Sequence, residues 1–356
     1  MLKGGMKVKN RIQQINKIFA GATNTSLVHE AVLVIEDSDN NFSYHESYGE
    51  KMLSSPIVMA SITKLFTTTC ILVLLEQGRL SLDDKLDKYF DRSILSGLHV
   101  YKGKEYSFNL TISDLLFQVS GLPDSFEAGG ITASSAMKDA IVSKDTYITF
   151  DDTINETKTL KPHFIPRTAS KAYYANVNFD MLGEIIEKVT QVSLSNAFNE
   201  MIFTPLQLQN TYLPTNECGL VPNVYYKEKC LHRPQLIMSC RASGGCISTA
   251  QELMIFLKAF WSGELFDKSI FSKLSNYRKI QSSKGPIRYG GGFMQIPLSG
   301  MTTMFMGKGE LLGHSGSTGS FAFYYPTKDL YIVGDINQLV NPALPIRLVI
   351  RLAMSM

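Results

Sequence analysis

The chain has 356 residues, 44% hydrophobic and 19% charged, with 35 Lys and Arg against 32 Asp and Glu for a net charge of +3, which fits one or two globular domains with a large core. No basic run reaches five residues and none is interleaved with aromatics, so no nucleic-acid partner is expected. No apolar stretch approaches the roughly 18 residues of a membrane-spanning helix; the best, Leu65 to Leu75, is broken by Thr67, Thr68 and Thr69.

Residues 7–20 place Val8, Ile12, Ile15 and Phe19 near helical spacing under a basic polar face. Such a helix can lie on a membrane, but its apolar face is modest, so packing on a sheet is the expectation and membrane association is not. The first twenty residues have scattered charges and no apolar core ending in a cleavage site, so a cytoplasmic protein is expected. Ala31 to Glu36 and Phe42 to Tyr48 flank a turn-rich segment and predict a hairpin. The run Leu65 to Leu75, free of Gly and Pro and ended near Gly78, predicts a helix opening at Ser61. Leu80 to Tyr89, Thr111 to Val119, Asn176 to Thr190, Ser193 to Ile202 and Ala250 to Phe260 predict further helices, and Asp145 to Ala169 a patternless loop. Ser320 to Tyr325 and Leu330 to Ile336 flank the turn Pro326-Thr327-Lys328-Asp329, a second hairpin, and 342–355 reads as a terminal helix. Strands at both ends and helices between them predict a discontinuous domain of residues 7–78 and 250–356, a mostly helical insertion of residues 79–249, and a cleft where they meet.

The five cysteines, Cys70, Cys218, Cys230, Cys240 and Cys246, match no zinc or redox spacing and read as free thiols. A Cys218–Cys230 pairing stays open if the protein is exported. No metal or cofactor is implied: the usual phosphate-loop, zinc-helix and thiol-pair motifs are missing, as is the Gly-x-Ser-x-Gly elbow.

Ser61 and Lys64 stand three residues apart where that helix begins, so they share one face. A helix N-terminus favours developing negative charge and an apolar surrounding lowers an amine's pKa, and both turn a hydroxyl into a nucleophile. A second Ser-x-x-Lys, Ser135/Lys138, lies in a weakly periodic stretch and reads as chance. Tyr174 and Asn176 form a Tyr-x-Asn motif that, taken alone, also reads as a cap on the helix from Asn176. Gly313-His314-Ser315-Gly316-Ser317 precedes the C-terminal hairpin.

In this order, Ser61/Lys64, Tyr174/Asn176 and His314/Gly316 resemble the serine β-lactamase and penicillin-binding protein superfamily, in its class C β-lactamase, D-Ala-D-Ala carboxypeptidase and esterase branch. The Thr111-Ile112…Leu115-Leu116…Ser120-Gly121-Leu122-Pro123 stretch, Gly244 to Thr249 and Tyr289 to Phe293 share the likeness, which covers residues 25–356. The resemblance implies an α+β fold, an antiparallel sheet flanked by helices with the active site in a cleft. It implies a serine hydrolase forming an acyl-enzyme on Ser61 from an amide, ester or β-lactam, so the expected partner is a small molecule or peptide carrying an acyl group. Either Lys64 as a neutral amine or Tyr174 as a phenolate would take the serine proton. Tyr174 would also pass a proton to the leaving group, and Asn176 would orient Lys64 and meet the substrate amide. The N–H groups of Ser61 and of Ser317, on the strand after Gly316, would form the oxyanion hole. Gly316 would let substrate lie against that strand. His314 would face a substrate carboxylate or fix the Ser315 hydroxyl.

Two departures stand out. His314 replaces the usual lysine and, mostly neutral at pH 7, would hold a carboxylate less firmly; the resemblance implies that members with histidine here are peptidases, esterases or uncharacterised hydrolases rather than dedicated β-lactamases. Gln118 stands where relatives often carry histidine. The competing expectation is a non-catalytic penicillin-binding or self-assembling protein that keeps the fold.

Overall fold

The computed structural model describes residues 2–124, 142–168, 170, 172–216, 219–281 and 284–356, with side chains from residue 10 onward except Met301. Eight of its strands form one antiparallel sheet: β1 (Ala31–Asp37), β2 (Ser43–Tyr48), β3 (Arg278–Lys279), β4 (Arg288–Tyr289), β5 (Met294–Pro297), β6 (Glu310–Ser315), β7 (Ser320–Tyr325) and β8 (Leu330–Asp335). Their order is β2-β1-β8-β7-β6-β5-β4-β3, so β1 pairs with β8 across almost the whole chain, Val34 opposite Val333. Both expected hairpins are present.

Alternation along the strands sends neighbouring side chains to opposite faces. Tyr44, opposite Ile35, donates its hydroxyl to Asn16 Oδ1 at 2.7 Å, which places helix α1 (Leu2–Thr23) on one face. Glu36, the next residue after Ile35, points the other way. It takes Lys258 Nζ at 2.6 Å from helix α4 (Ala250–Ser262). Ile15 and Phe19 of α1 are buried against the sheet, as its modest apolar face suggested. Helix α5 (Leu344–Ser355) packs beside α1.

Helix α2 (Thr63–Glu76) is buried on nearly every side, with Phe66 edge-on to Phe198, Phe203 and Phe256. A helix apolar all round belongs in a core. Its three consecutive threonines are satisfied there: Thr67 donates to Ala242 O at 2.7 Å, Thr68 to Lys64 O at 2.7 Å and Thr69 to Leu65 O at 2.8 Å. Helix α3 (Asn176–Thr190) packs against α2.

Several elements differ from the sequence reading. Leu80 to Tyr89 is a turn segment with only a short 3₁₀ turn, Leu86–Lys88. The Asp84 carboxylate accepts from Ser81 N, Lys88 and the Tyr89 hydroxyl, and such local bonds compete with a helix. The predicted loop Asp145 to Ala169 holds a helix, Phe150–Thr159, started by a capping box of Thr149 and Asp152. The segment Thr111 to Val119 keeps helix only over Ile112–Leu116. The segment Ser193 to Ile202 is helix over Leu194–Phe198 and then a π-turn. Ser135 and Lys138 lie outside the described residues, as does Cys218. The other four cysteines are free.

Candidate active site

Ser61 lies in a 3₁₀ turn, Ala60–Ile62, that runs directly into α2. Ala60 has φ 44°, a left-handed conformation that a Cβ disfavours. The turn is stapled on both sides. Met59 N donates to Cys246 O at 2.9 Å and Cys246 N to Thr63 Oγ1 at 3.0 Å. From the sheet, Ser320 Oγ donates to Met59 O at 2.9 Å and Thr318 Oγ1 to Val58 O at 2.9 Å.

Lys64 is fully buried one turn below. Its Nζ lies 3.3 Å from Ser61 Oγ, 2.8 Å from Asn176 Oδ1 and 2.6 Å from Ser243 O, all neutral oxygens. The rings of Tyr174 and Phe179 face it at 5.0 and 5.5 Å. The sequence places Lys64 within reach of Ser61; only the fold brings in Asn176, 112 residues away.

The Tyr174-x-Asn176 segment enters α3 as extended backbone held from outside. Gln118, buried at φ 57°, accepts from Tyr173 N with its carbonyl and from Ala175 N with Oε1, each at 2.9 Å. Its Oε1 also accepts from Asn178 Nδ2. Gln281 brackets Tyr174, accepting from its N–H at 2.9 Å and donating to its carbonyl at 3.3 Å. The capping reading of this motif is set aside by the structure. The N-cap residue is Ala175, the N–H groups of Asn176 and Val177 go to the Asp124 carboxylate, and the Asn176 side chain turns to Lys64 instead. One turn on, burial pushes the Asp180 carboxyl up to about 7, against the lowering by the Ser243 hydroxyl and the Lys64 charge.

His314 is fully buried on β6, with rings of Tyr174 and Tyr289 5.9 Å away. Burial, then the nearby Lys64 charge, pulls its pKa down to about 3. Its Nδ1 donates to Ser315 O at 2.9 Å, and Tyr289 O–H lies 3.5 Å from Nε2. So His314 meets the Ser315 carbonyl rather than its hydroxyl, and a neutral, enclosed imidazole is not the cation for a substrate carboxylate. On the other side of the site, Lys284 Nζ stands over the Tyr174 ring, 5.6 Å from its centroid.

Gly316 is a glycine for an internal reason. A Cβ there would collide with Ser320 Oγ and lie 2.6 Å from Met59 O and 3.0 Å from the Ala60 Cβ. The β6–β7 turn thus sits against the Ser61 turn. Ser317 is exposed in that turn, not on a strand, because β6 ends at Ser315. The structure therefore gathers Ser61, Lys64, Tyr174, Asn176, His314 and Gly316 in one place, with Ser315 buried beside them and Ser317 at the rim. Sequence reasoning missed Ser243, Asp124, Gln281 and Lys284, which belong to no local motif, and found Gln118 only as an oddity.

A comparison with protein-family profiles matches residues 39–352 to the family described as Beta-lactamase. The chain is 27% identical over 262 residues to the D-alanyl-D-alanine-carboxypeptidase/endopeptidase AmpH of Escherichia coli, covering 71% of this chain and 61% of that protein. It superposes on a D-stereospecific amidohydrolase from Streptomyces sp. with a TM-score of 0.70 and 25% identity, covering 92% of this chain and 97% of the other. It superposes on the octameric penicillin-binding protein homologue from Pyrococcus abyssi with a TM-score of 0.75 and 21% identity, over 95% and 76% of the two chains. With a sheet flanked by helices and a profile match over most of its length, this chain belongs to the beta-lactamase family of serine hydrolases.

Proposed function

We propose that the protein hydrolyses a small amide or ester through an acyl-enzyme on Ser61, and the contact that carries this reading is Lys64 Nζ beside Ser61 Oγ. Ser61 Oγ attacks the carbonyl carbon while its proton passes to Lys64, which acts as the base once its resting ammonium has given up a proton. Tyr174 is the alternative base and the acid for the leaving group. Asn176 holds Lys64 through Oδ1, which leaves its amide N–H for the substrate. The backbone N–H groups of Ser61 and Ser317 stabilise the oxyanion, and water releases the acyl group by the reverse proton path. The cleft for the substrate lies between the sheet and the helices of residues 79–249.

Substrates with an anionic group near the scissile bond fit best. With His314 neutral, Lys284 is the side chain that recognises that charge. The D-configured amides and peptides named for the relatives are the first substrates to try. Ser61→Ala should lower kcat/KM by about 10³-fold or more with the melting temperature unchanged; retained turnover would refute the assignment. Lys284→Ala should raise KM about tenfold, roughly 1.4 kcal/mol, for a D-amino-acid peptide with a free carboxylate and leave its C-terminal amide unaffected. Equal effects on both would remove Lys284 from substrate recognition.

A further inference from the structure

Three segments of the chain carry charge of one sign only. Residues 1–23, 297–309 and 336–356 contain eight of the 35 basic residues and none of the 32 acidic ones, so the rest of the chain is net negative. The fold brings these three segments together. Helix α1 packs beside α5, and Arg11 Nη2 donates to Met356 O at 3.2 Å. The loop 300–308 touches α5, where a Cβ on Gly307 would lie 2.8 Å from Met354 Sδ. Lys17, Lys308, Arg347 and Arg351 are exposed there, the two arginines one helical turn apart.

Beside them stands an apolar tip. Met304, Phe305 and Met306 are 79%, 78% and 72% exposed. The tip is built rather than slack: Phe305 N donates to Gly300 O at 2.7 Å, Met306 N to Thr303 O at 3.1 Å and Gly307 N to Thr303 Oγ1 at 2.9 Å. Met304 and Phe305 both hold left-handed backbone, φ 51° and 64°. A Cβ disfavours that conformation, and among the described residues nothing buries these side chains in return. A protein meeting only water has no reason to hold three large apolar side chains outward at that cost.

We propose that this face is a docking surface for an anionic lipid bilayer, with Met304, Phe305 and Met306 entering the headgroup boundary and Lys17, Lys308, Arg347 and Arg351 on the phosphates. Apolar anchors combined with a basic surface are what reversible membrane binding requires. Among the described residues no helix is long and apolar enough to cross a bilayer, so the contact is peripheral. The inserting group is the loop, not the apolar face of α1, which the sheet already covers. β6 runs from Glu310 beside this loop to Ser315 at the site, so the loop and the site stand at opposite ends of that strand.

The test is co-sedimentation of the full chain with vesicles of phosphatidylcholine alone and of phosphatidylcholine with phosphatidylserine, at low and high salt. Binding to the anionic vesicles only, weakened by salt and reduced about tenfold or more in the variant M304S/F305S/M306S and in R347E/R351E, is the expected result. Both variants alter exposed positions, so unchanged circular dichroism melts and unchanged labelling of Ser61 show that they are folded. No binding, or binding that neither variant weakens, overturns the proposal. Binding to DNA or heparin without vesicle binding also overturns it, since the surface would then serve polyanions in general.

Discussion

A histidine enclosed on every side gains nothing from a proton unless an acceptor waits for it. At His314 one nitrogen already faces the Ser315 carbonyl and the other a tyrosine hydroxyl. The unfolded chain protonates this ring near pH 6.5 and the folded chain only near 3. Below pH 6.5 the unfolded state therefore binds more protons, and stability is lost as pH falls toward 3, by up to about 5 kcal/mol. H314Q removes that titration. Urea midpoints at pH 7 and pH 4.5 should fall less for the variant than for the wild type. An identical fall in both would show that the acid sensitivity lies elsewhere. The sequence already told that histidine here is a weak cation; that it is no cation at all follows from Tyr174, Tyr289 and Lys64 closing around it. Such enclosure is a property of packing, which no local motif states.

At the scale of elements, the order of the three motifs was legible and the devices that align them were not. Ser61 and Lys64 are joined by helix geometry, which periodicity shows. The approach of Tyr174 and Asn176 depends on Gln118, Asp124 and Gln281, whose partners lie tens of residues away. The same limit explains the misread helices. At Leu80 to Tyr89 a single aspartate gathers the local donors, and at Phe150–Thr159 the capping box outweighs a weak apolar pattern. Q118A should leave Ala175 N–H and the Asn178 amide without their acceptor, costing about 2–3 kcal/mol. Because it positions Tyr174 and Asn176 rather than touching substrate, it should lower kcat more than it raises KM, and Q118E should recover part of the loss. A variant that loses stability while kcat holds would limit Gln118 to a structural part.

The whole molecule closes through the pairing of its two ends. β1 hydrogen-bonds to β8, and beside that seam the buried Lys51 ammonium lies 2.7 Å from Asp335 and 3.0 Å from Glu30. Asn337 Nδ2 donates to the same Glu30 oxygen at 2.6 Å. Burial pushes the Asp335 carboxyl up, and Lys51 holds it back. K51M strands that carboxylate and should cost about 3–5 kcal/mol, read as a shift in urea midpoint, while K51M/D335N should recover much of it. No recovery in the double variant would mean the seam is held by packing alone. The strands at both chain ends announced this closure, whereas the split into residues 7–78 and 250–356 around an insertion remains our proposal for how the cleft is assembled.

The most direct test of the whole account is peptide-level mass spectrometry after brief exposure to a fluorophosphonate, run on the wild type and on K64A. The account predicts one adduct, on the peptide containing Ser61, and its loss or strong slowing in K64A. An adduct on another serine, or labelling of Ser61 that does not depend on Lys64, would contradict it.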